Sequence, residues 1–363
     1  MLKQQKIFFD FLRFCIGSAK EIPDSLKEAD WKELYRIAQK QALLGVLFYG
    51  IRQLSKQLAP EQKLLMQWIV MAEQIRKQNI RLFQDSVKVC QNFENEGFDN
   101  CILKGQGNAL LYPDPYMRTP GDIDVYLSGG RRKIMKYVDQ VCPNQVMRYH
   151  HVDFPMMKTA IEVHFIPSYM FCPIHNRRMQ KWFKEVMGEQ CARRVSLPDG
   201  YGEIHVPTAT FNVIYILSHL YRHIFTEGIG LRQLLDYYYV LISDDLLLIR
   251  DRVQKELKHL GLWKFAQAVM FVMKEVFGLY EDRMIAPMDE KEGKFLLDEI
   301  LRGGNFGQFD DRMGDKVDES KIHRYFRMNL RNLRFVRHYP TEAFCEPFFR
   351  TWFAGWKYIK RIK

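Results

Sequence analysis

The sequence predicts an α+β fold: a small mixed sheet within residues 96–206, held between helical regions at 1–95 and 207–363. Three observations carry this. Apolar residues recur with a helical period before Glu96, short strand-like runs broken by Gly and Pro follow, and long apolar-periodic stretches return after Thr208. With 363 residues, 47% of them hydrophobic and 27% charged, the chain can bury a real core, which excludes disorder and collagen-like structure.

The elements follow in order. Ile7, Phe8, Phe11 and Leu12 mark one face of a first helix, and further helical runs lie near 25–40, 42–55 and 60–94, with Pro23 and Pro60 near two of the starts. Beyond Gly97 the runs CILK (101–104), DIDVYL (122–127), NQVMRYHHVDF (144–154) and AIEVHF (160–165) read as strands. Helical runs near 105–111 and 130–142 alternate with them. Helices resume with FNVIYILSHLYRHIF (211–225) and LRQLLDYYYVLI (231–242), and the Gly- and Asp-rich 304–320 reads as a loop. No repeat recurs at a fixed period.

No apolar run approaches the ~20 residues that cross a bilayer. The Phe-rich start is broken by Asp10 and Arg13 and has no small-residue cleavage site, so a cytoplasmic protein is expected. The seven cysteines are scattered singly, odd in number and without a CxxC pair. Reduced thiols and no cysteine-rich zinc site follow.

The formal charge of +11 is concentrated at the end: residues 321–363 hold eleven Lys or Arg against Glu342 and Glu346 alone. Arg324, Arg327, Arg331, Arg334 and His338 recur at three- and four-residue steps, one stripe on a helix. After Pro340, Phe349, Trp352, Phe353, Trp356 and Ile359 recur at helical spacing among Arg350, Lys357, Lys360, Arg361 and Lys363. Core packing of these aromatics is the favoured reading; peripheral contact with an anionic membrane surface is the other. No nucleic-acid module surrounds the basic residues, so nucleic acid is not the expected partner.

The chemistry is written in residues 103–127. On a strand, Asp122 and Asp124 share one face while Ile123 and Val125 turn to the core. Two adjacent carboxylates repel unless a cation lies between them, and oxygen ligands of this kind suit Mg²⁺ or Mn²⁺. Glu162, between Ile161 and Val163, repeats the design and is a candidate third carboxylate. A bare Asp-x-Asp occurs by chance in many turns; what adds weight here is its company, Leu103-Lys104-Gly105 and Arg118 upstream and Glu162-Val163-His164 downstream. On these residues, over roughly 98–240, the chain resembles a bacterial family of uncharacterised nucleotidyltransferase-like proteins within the nucleotidyltransferase superfamily. The resemblance implies a metal held by Asp122, Asp124 and Glu162, with Lys104, Gly105 and Arg118 at the phosphates of an NTP. One departure stands out: the superfamily's Gly-Ser pair is replaced by Lys104-Gly105-Gln106-Gly107, without a serine.

Other candidates carry less. His219 and His223 lie four apart on a helix, where packing is the default, and Arg232 lies four before Asp236, the spacing of an intrahelical ion pair. Arg232 or His219 is a candidate for the nucleotide cleft. Tyr237, Tyr238 and Tyr239 read as packing, and His150 and His151 as surface or edge residues. The expected activity is metal-dependent transfer of a nucleoside monophosphate, AMP in the favoured case, from an NTP such as ATP to an unidentified acceptor (small molecule, sugar or protein), releasing pyrophosphate. Two alternatives stand beside it: a decayed transferase scaffold that binds an anionic partner, and an Asp-x-Asp glycosyltransferase.

Overall fold

The computed structural model describes residues 3–310, 312 and 320–359. Four helices open the chain: α1 (Lys3–Cys15), α2 (Trp31–Lys40), α3 (Leu44–Ile51) and the 34-residue α4 (Gln62–Asn95). Asp30 caps α2 by accepting from the backbone amides of Lys32 and Glu33. The mixed region follows as β1 (Asn100–Ile102), α5 (Gln106–Ala109), β2 (Ile123–Leu127), α6 (Gly130–Val141), β3 (His151–Asp153), β4 (Ile161–His164), α7 (Pro173–Ala192), β5 (Arg194–Ser196) and β6 (Glu203–His205). The chain then runs through α8 (Ala209–Thr226), α9 (Leu231–Leu241), α10 (Arg250–His259), α11 (Trp263–Phe277), α12 (Glu290–Gly303), α13 (Lys321–Val336) and α14 (Pro340–Ile359). This is the mixed architecture expected, a small sheet flanked by helical regions.

The sheet order is β1-β2-β4-β3, with β2 and β4 parallel and both outer pairings antiparallel. Ile123, Val125, Ile161 and Val163 turn into one apolar cluster with Phe83, Phe93 and Ile134, from α4 and α6. A second cluster joins α1–α3 to α8–α12. The length of α4 lets it serve both: Trp68 lies in the second cluster, Leu82 and Phe93 in the first.

Two stretches of the mixed region differ from the reading of the sequence. The strand read over 144–154 is real only at His151–Asp153, because the chain doubles back on itself: Met147 bridges Val152, and the Arg148 amide donates to the His151 carbonyl at 2.9 Å. The stretch 173–206 holds the long α7 and the β5–β6 hairpin, neither of which was anticipated. Pro173 at the first helical turn and the spacing of Met179, Trp182, Phe183 and Met187 were the available signal for α7.

Of the basic stripe, Arg331 is buried, Arg334 pairs with Glu299 and Asp310, and His338 lies 2.9 Å from Glu292. Lys360, Arg361 and Lys363 lie outside the described residues.

One buried ion pair ties the mixed region to the helices behind it. Arg118 Nε and Nη2 each donate to Asp236 of α9 at 2.8 Å, and the Tyr112 hydroxyl adds a third bond at 2.7 Å. The Arg232–Asp236 pair expected within α9 is therefore not the one formed: Arg232 instead donates to the Thr119 carbonyl at 3.3 Å. Burial would raise the Asp236 carboxyl, but Arg118 outweighs it and holds that carboxyl below its usual range. Asp236→Ala strands a buried guanidinium and is expected to cost about 3–5 kcal/mol, read by urea unfolding. A loss below about 1 kcal/mol would show that the pair is not what anchors this segment.

Candidate active site

The parallel pairing of β2 and β4 decides the site. Its register sets Asp124 opposite Glu162 and Tyr126 opposite His164, and β3 adds His151 opposite His164 and Asp153 opposite Glu162. Alternation then places Asp124, Glu162, His164 and His151 on one face, away from the apolar cluster. Asp122 lies just before β2, two residues from Asp124, so both carboxylates enter the same cleft.

Asp124 is 2% exposed. Its Oδ1 lies 3.1 Å from Lys104 Nζ and 3.0 Å from His164 Nε2, while its Oδ2 is buried without a partner. Burial would raise this carboxyl; Lys104 and His164 outweigh burial and hold it well below the usual range. Glu162 is likewise drawn down against burial, chiefly by His164 at 3.4 Å, and His151 Nδ1 lies 3.2 Å from it. Burial works to lower His164, yet Asp124 and Glu162 raise it, so this imidazole is the one stabilised in its charged form. Asp122 goes the other way: the neighbouring Asp124 charge, reinforced by burial, pushes its pKa up to about 6. The ligand atoms of Asp124, Glu162 and His164 lie within 4.8 Å of one another, a spacing compatible with one divalent ion, which His164 could ligate only after giving up its proton. An ion there would satisfy Asp124 Oδ2 and relieve the repulsion felt by Asp122, so the donor set fits a metal.

The helix α8 closes the cleft from the other side. Lys104 Nζ also donates to His219 Nε2 at 3.1 Å, and Arg222 reaches His150 at 2.8 Å, His219 at 3.2 Å and His223 at 3.0 Å. Burial first, and then neighbouring cations, lowers His150, His219 and His223, which places these imidazoles in their neutral form at pH 7. His150 and His151, read as surface or edge residues, are buried here; strand register and the fold-back at 148–151 bring them in, and no linear pattern announces either.

Lys104, Gly105, Arg118, Asp122, Asp124, His219 and Arg232 all line one cleft of about 40 Å³. That is room for an ion or a few waters, so the nucleoside part of any nucleotide would lie beyond it. Two cationic donors in this lining, Arg118 Nη1 and Arg232 Nε, are buried and unpartnered, a cost that an anion would remove. Sequence reading also missed Phe306, which lines the cleft 5.5 Å from the Arg232 guanidinium and 5.8 Å from the His223 ring. Its loop is clamped by bare backbone: a Cβ on Gly307 would lie 2.0 Å from the Glu227 carbonyl oxygen.

The fold and cleft thus define an α+β protein with a carboxylate–histidine cluster able to hold a divalent metal beside buried cations. The chain matches the family described as "Uncharacterised nucleotidyltransferase" over residues 27–278, well over half its length, and belongs to that family. No curated protein and no solved structure matches the chain.

A carboxyl with a raised folded-state pKa contributes stability that is complete below the unfolded value, near ~4, and is lost as pH rises through about 6. Asp122→Asn is therefore expected to stabilise the metal-free protein by roughly 3 kcal/mol at pH 7 and by almost nothing at pH 4. Denaturation in EDTA across that range checks it. A gain equal at both pH values would refute the repulsion.

Proposed function

We propose that this protein is a divalent-metal-dependent nucleotidyltransferase that moves a nucleoside monophosphate, AMP from ATP in the favoured case, to an acceptor nucleophile. The observation that carries the reading is the register of β2 against β4, which sets Asp124 beside Glu162 with one Asp124 oxygen buried and unpartnered. Family membership supports it. Asp122, Asp124 and Glu162 would hold Mg²⁺ or Mn²⁺, and His164 stands within reach. When bound, the ion supplies charge neutralisation at the phosphate oxygens.

Lys104 and the open donors of Arg118 and Arg232 form the positive wall that receives the β- and γ-phosphates. On this reading cationic side chains, not a hydroxyl, would serve as phosphate donors where the superfamily uses its Gly-Ser pair. The acceptor atom bonds to the α-phosphorus, the bond from that phosphorus to the bridging oxygen breaks, and the electron pair leaves with pyrophosphate. Glu162, its carboxyl held below the usual range, serves either as a ligand or as the base that takes the acceptor proton. The acceptor would approach from the helical side of the cleft.

A thermal-shift panel with each NTP, with and without Mg²⁺ or Mn²⁺, and with UDP-sugars tests the reading. An NTP at a hundredfold excess over its Kd is expected to add ~2.7 kcal/mol, only with metal present. Asp124→Asn should abolish that shift and lower turnover by about 100-fold or more. A shift confined to UDP-sugars would transfer the site to glycosyl transfer. Silence from the folded protein across the whole panel would leave a binding scaffold.

A further inference from the structure

The C-terminal helices α13 and α14 lie beyond the residues that match the family and take no part in the cleft. One side of α14 is committed to the fold. Phe349 stacks on Tyr169 at 5.1 Å and meets Tyr149 at 4.9 Å, and Trp356 lies under the Arg131 guanidinium at 5.5 Å. The other side is bare: Phe344, Phe348, Trp352 and Ile359 follow one another at four- and seven-residue steps, exposed by 61, 73, 54 and 78%. They form a single stripe about 22 Å long. On α13, Phe326, Leu330 and Leu333 repeat the pattern and are equally exposed. The sequence favoured core packing for Phe349, Trp352, Phe353, Trp356 and Ile359; Trp352 and Ile359 are the exceptions.

Within residues 321–363 the exposed charges of the described residues have one sign. Glu342 and Glu346 are the only acidic residues in 321–363, and both are buried. Glu342 accepts from the backbone amides of Phe171 and Cys172, and Glu346 from Asn332. Arg177 and Arg337 are exposed, and neither has a carboxylate partner among the described residues. Arg177 borders an open apolar groove of about 440 Å³ that Phe348 and Trp352 line. Lys360, Arg361 and Lys363 follow in the sequence.

We propose that the exposed face of α14 docks on an anionic lipid bilayer, the aromatic stripe entering the headgroup boundary and the flanking arginines meeting lipid phosphate. The composition selects this occupant. Phosphates of a nucleic acid would reward the cations but not a stripe of Phe, Trp and Ile, whereas an interfacial helix uses both. Among the described residues no helix is long and apolar enough to cross a membrane, so the contact is peripheral.

The test is co-sedimentation of the full chain with vesicles of phosphatidylcholine alone and of equimolar phosphatidylcholine and phosphatidylglycerol. Binding is expected on the anionic vesicles and about tenfold weaker on the neutral ones or at high salt. The exposed double substitutions Phe348→Ser with Trp352→Ser, and Arg177→Glu with Arg337→Glu, should each lower binding about tenfold with the circular dichroism spectrum unchanged. Failure of the folded chain to sediment with anionic vesicles would overturn the proposal. So would binding that is insensitive to the Phe348/Trp352 pair, which would reduce it to unspecific charge attraction. A dimer in light scattering that Phe348→Asp dissociates would assign the stripe to a second copy, and would also overturn it.

Discussion

An ionised carboxylate sits at the bottom of this protein almost out of reach of water, and much of the mixed region is arranged around making that tolerable. Asp124 keeps its charge because Lys104 and His164 stand 3.1 and 3.0 Å from the same oxygen. Burial alone would neutralise it. Lys104 is in turn steadied by His219 of α8, so a helix about a hundred residues downstream helps hold the first cation in place. The compensation is incomplete: the second Asp124 oxygen has no partner, and Asp122 bears the repulsion as a raised pKa. A cation placed there would relieve both, and the cluster of Asp124, Glu162 and His164 could hold one.

The opposite side of the cleft shows the complementary imbalance. Arg118 spends two nitrogens on Asp236 and leaves the third buried and open; Arg232 does much the same after its bond to the Thr119 carbonyl. Fixing a guanidinium through one edge while offering the other gives an anion a rigid donor, at little ordering cost when the ligand arrives. Excess carboxylate on one wall and open guanidinium on the other are what a metal–polyphosphate pair would satisfy together. Phe306 belongs to the same arrangement, carried on a loop outside the family-matched residues and locked by glycine contacts too close for any side chain.

Much of this was legible in the chain. The helical period before Glu96 and after Thr208, and the alternation around Asp124 and Glu162, are local patterns, and local patterns survive into the fold because they report which face of an element is buried. What escaped was nonlocal or masked by composition. The helix α7 carries its apolar residues among many charged ones, the β5–β6 strands are three residues each, and His150 and His151 acquire meaning only from a strand that folds back. Arg232 shows the hazard of spacing arguments: four residues before Asp236 is the right distance for a pair, yet Arg118 reaches that carboxylate with two parallel hydrogen bonds, which a single helical turn does not supply.

By itself, the sequence determined the α+β class, the carboxylates at 122, 124 and 162, and the concentration of positive charge at the end, because these depend on residue identity and on periods of two and 3.6. The tertiary structure alone decided that Asp124 and Glu162 face each other, that Lys104 and His164 neutralise them, that Arg118 is half spent on Asp236, and that α14 buries one aromatic face and leaves the other bare. The reason is physical. Strand order and helix docking are chosen by the burial of apolar surface summed over the whole chain, and that sum cannot be read from any one segment.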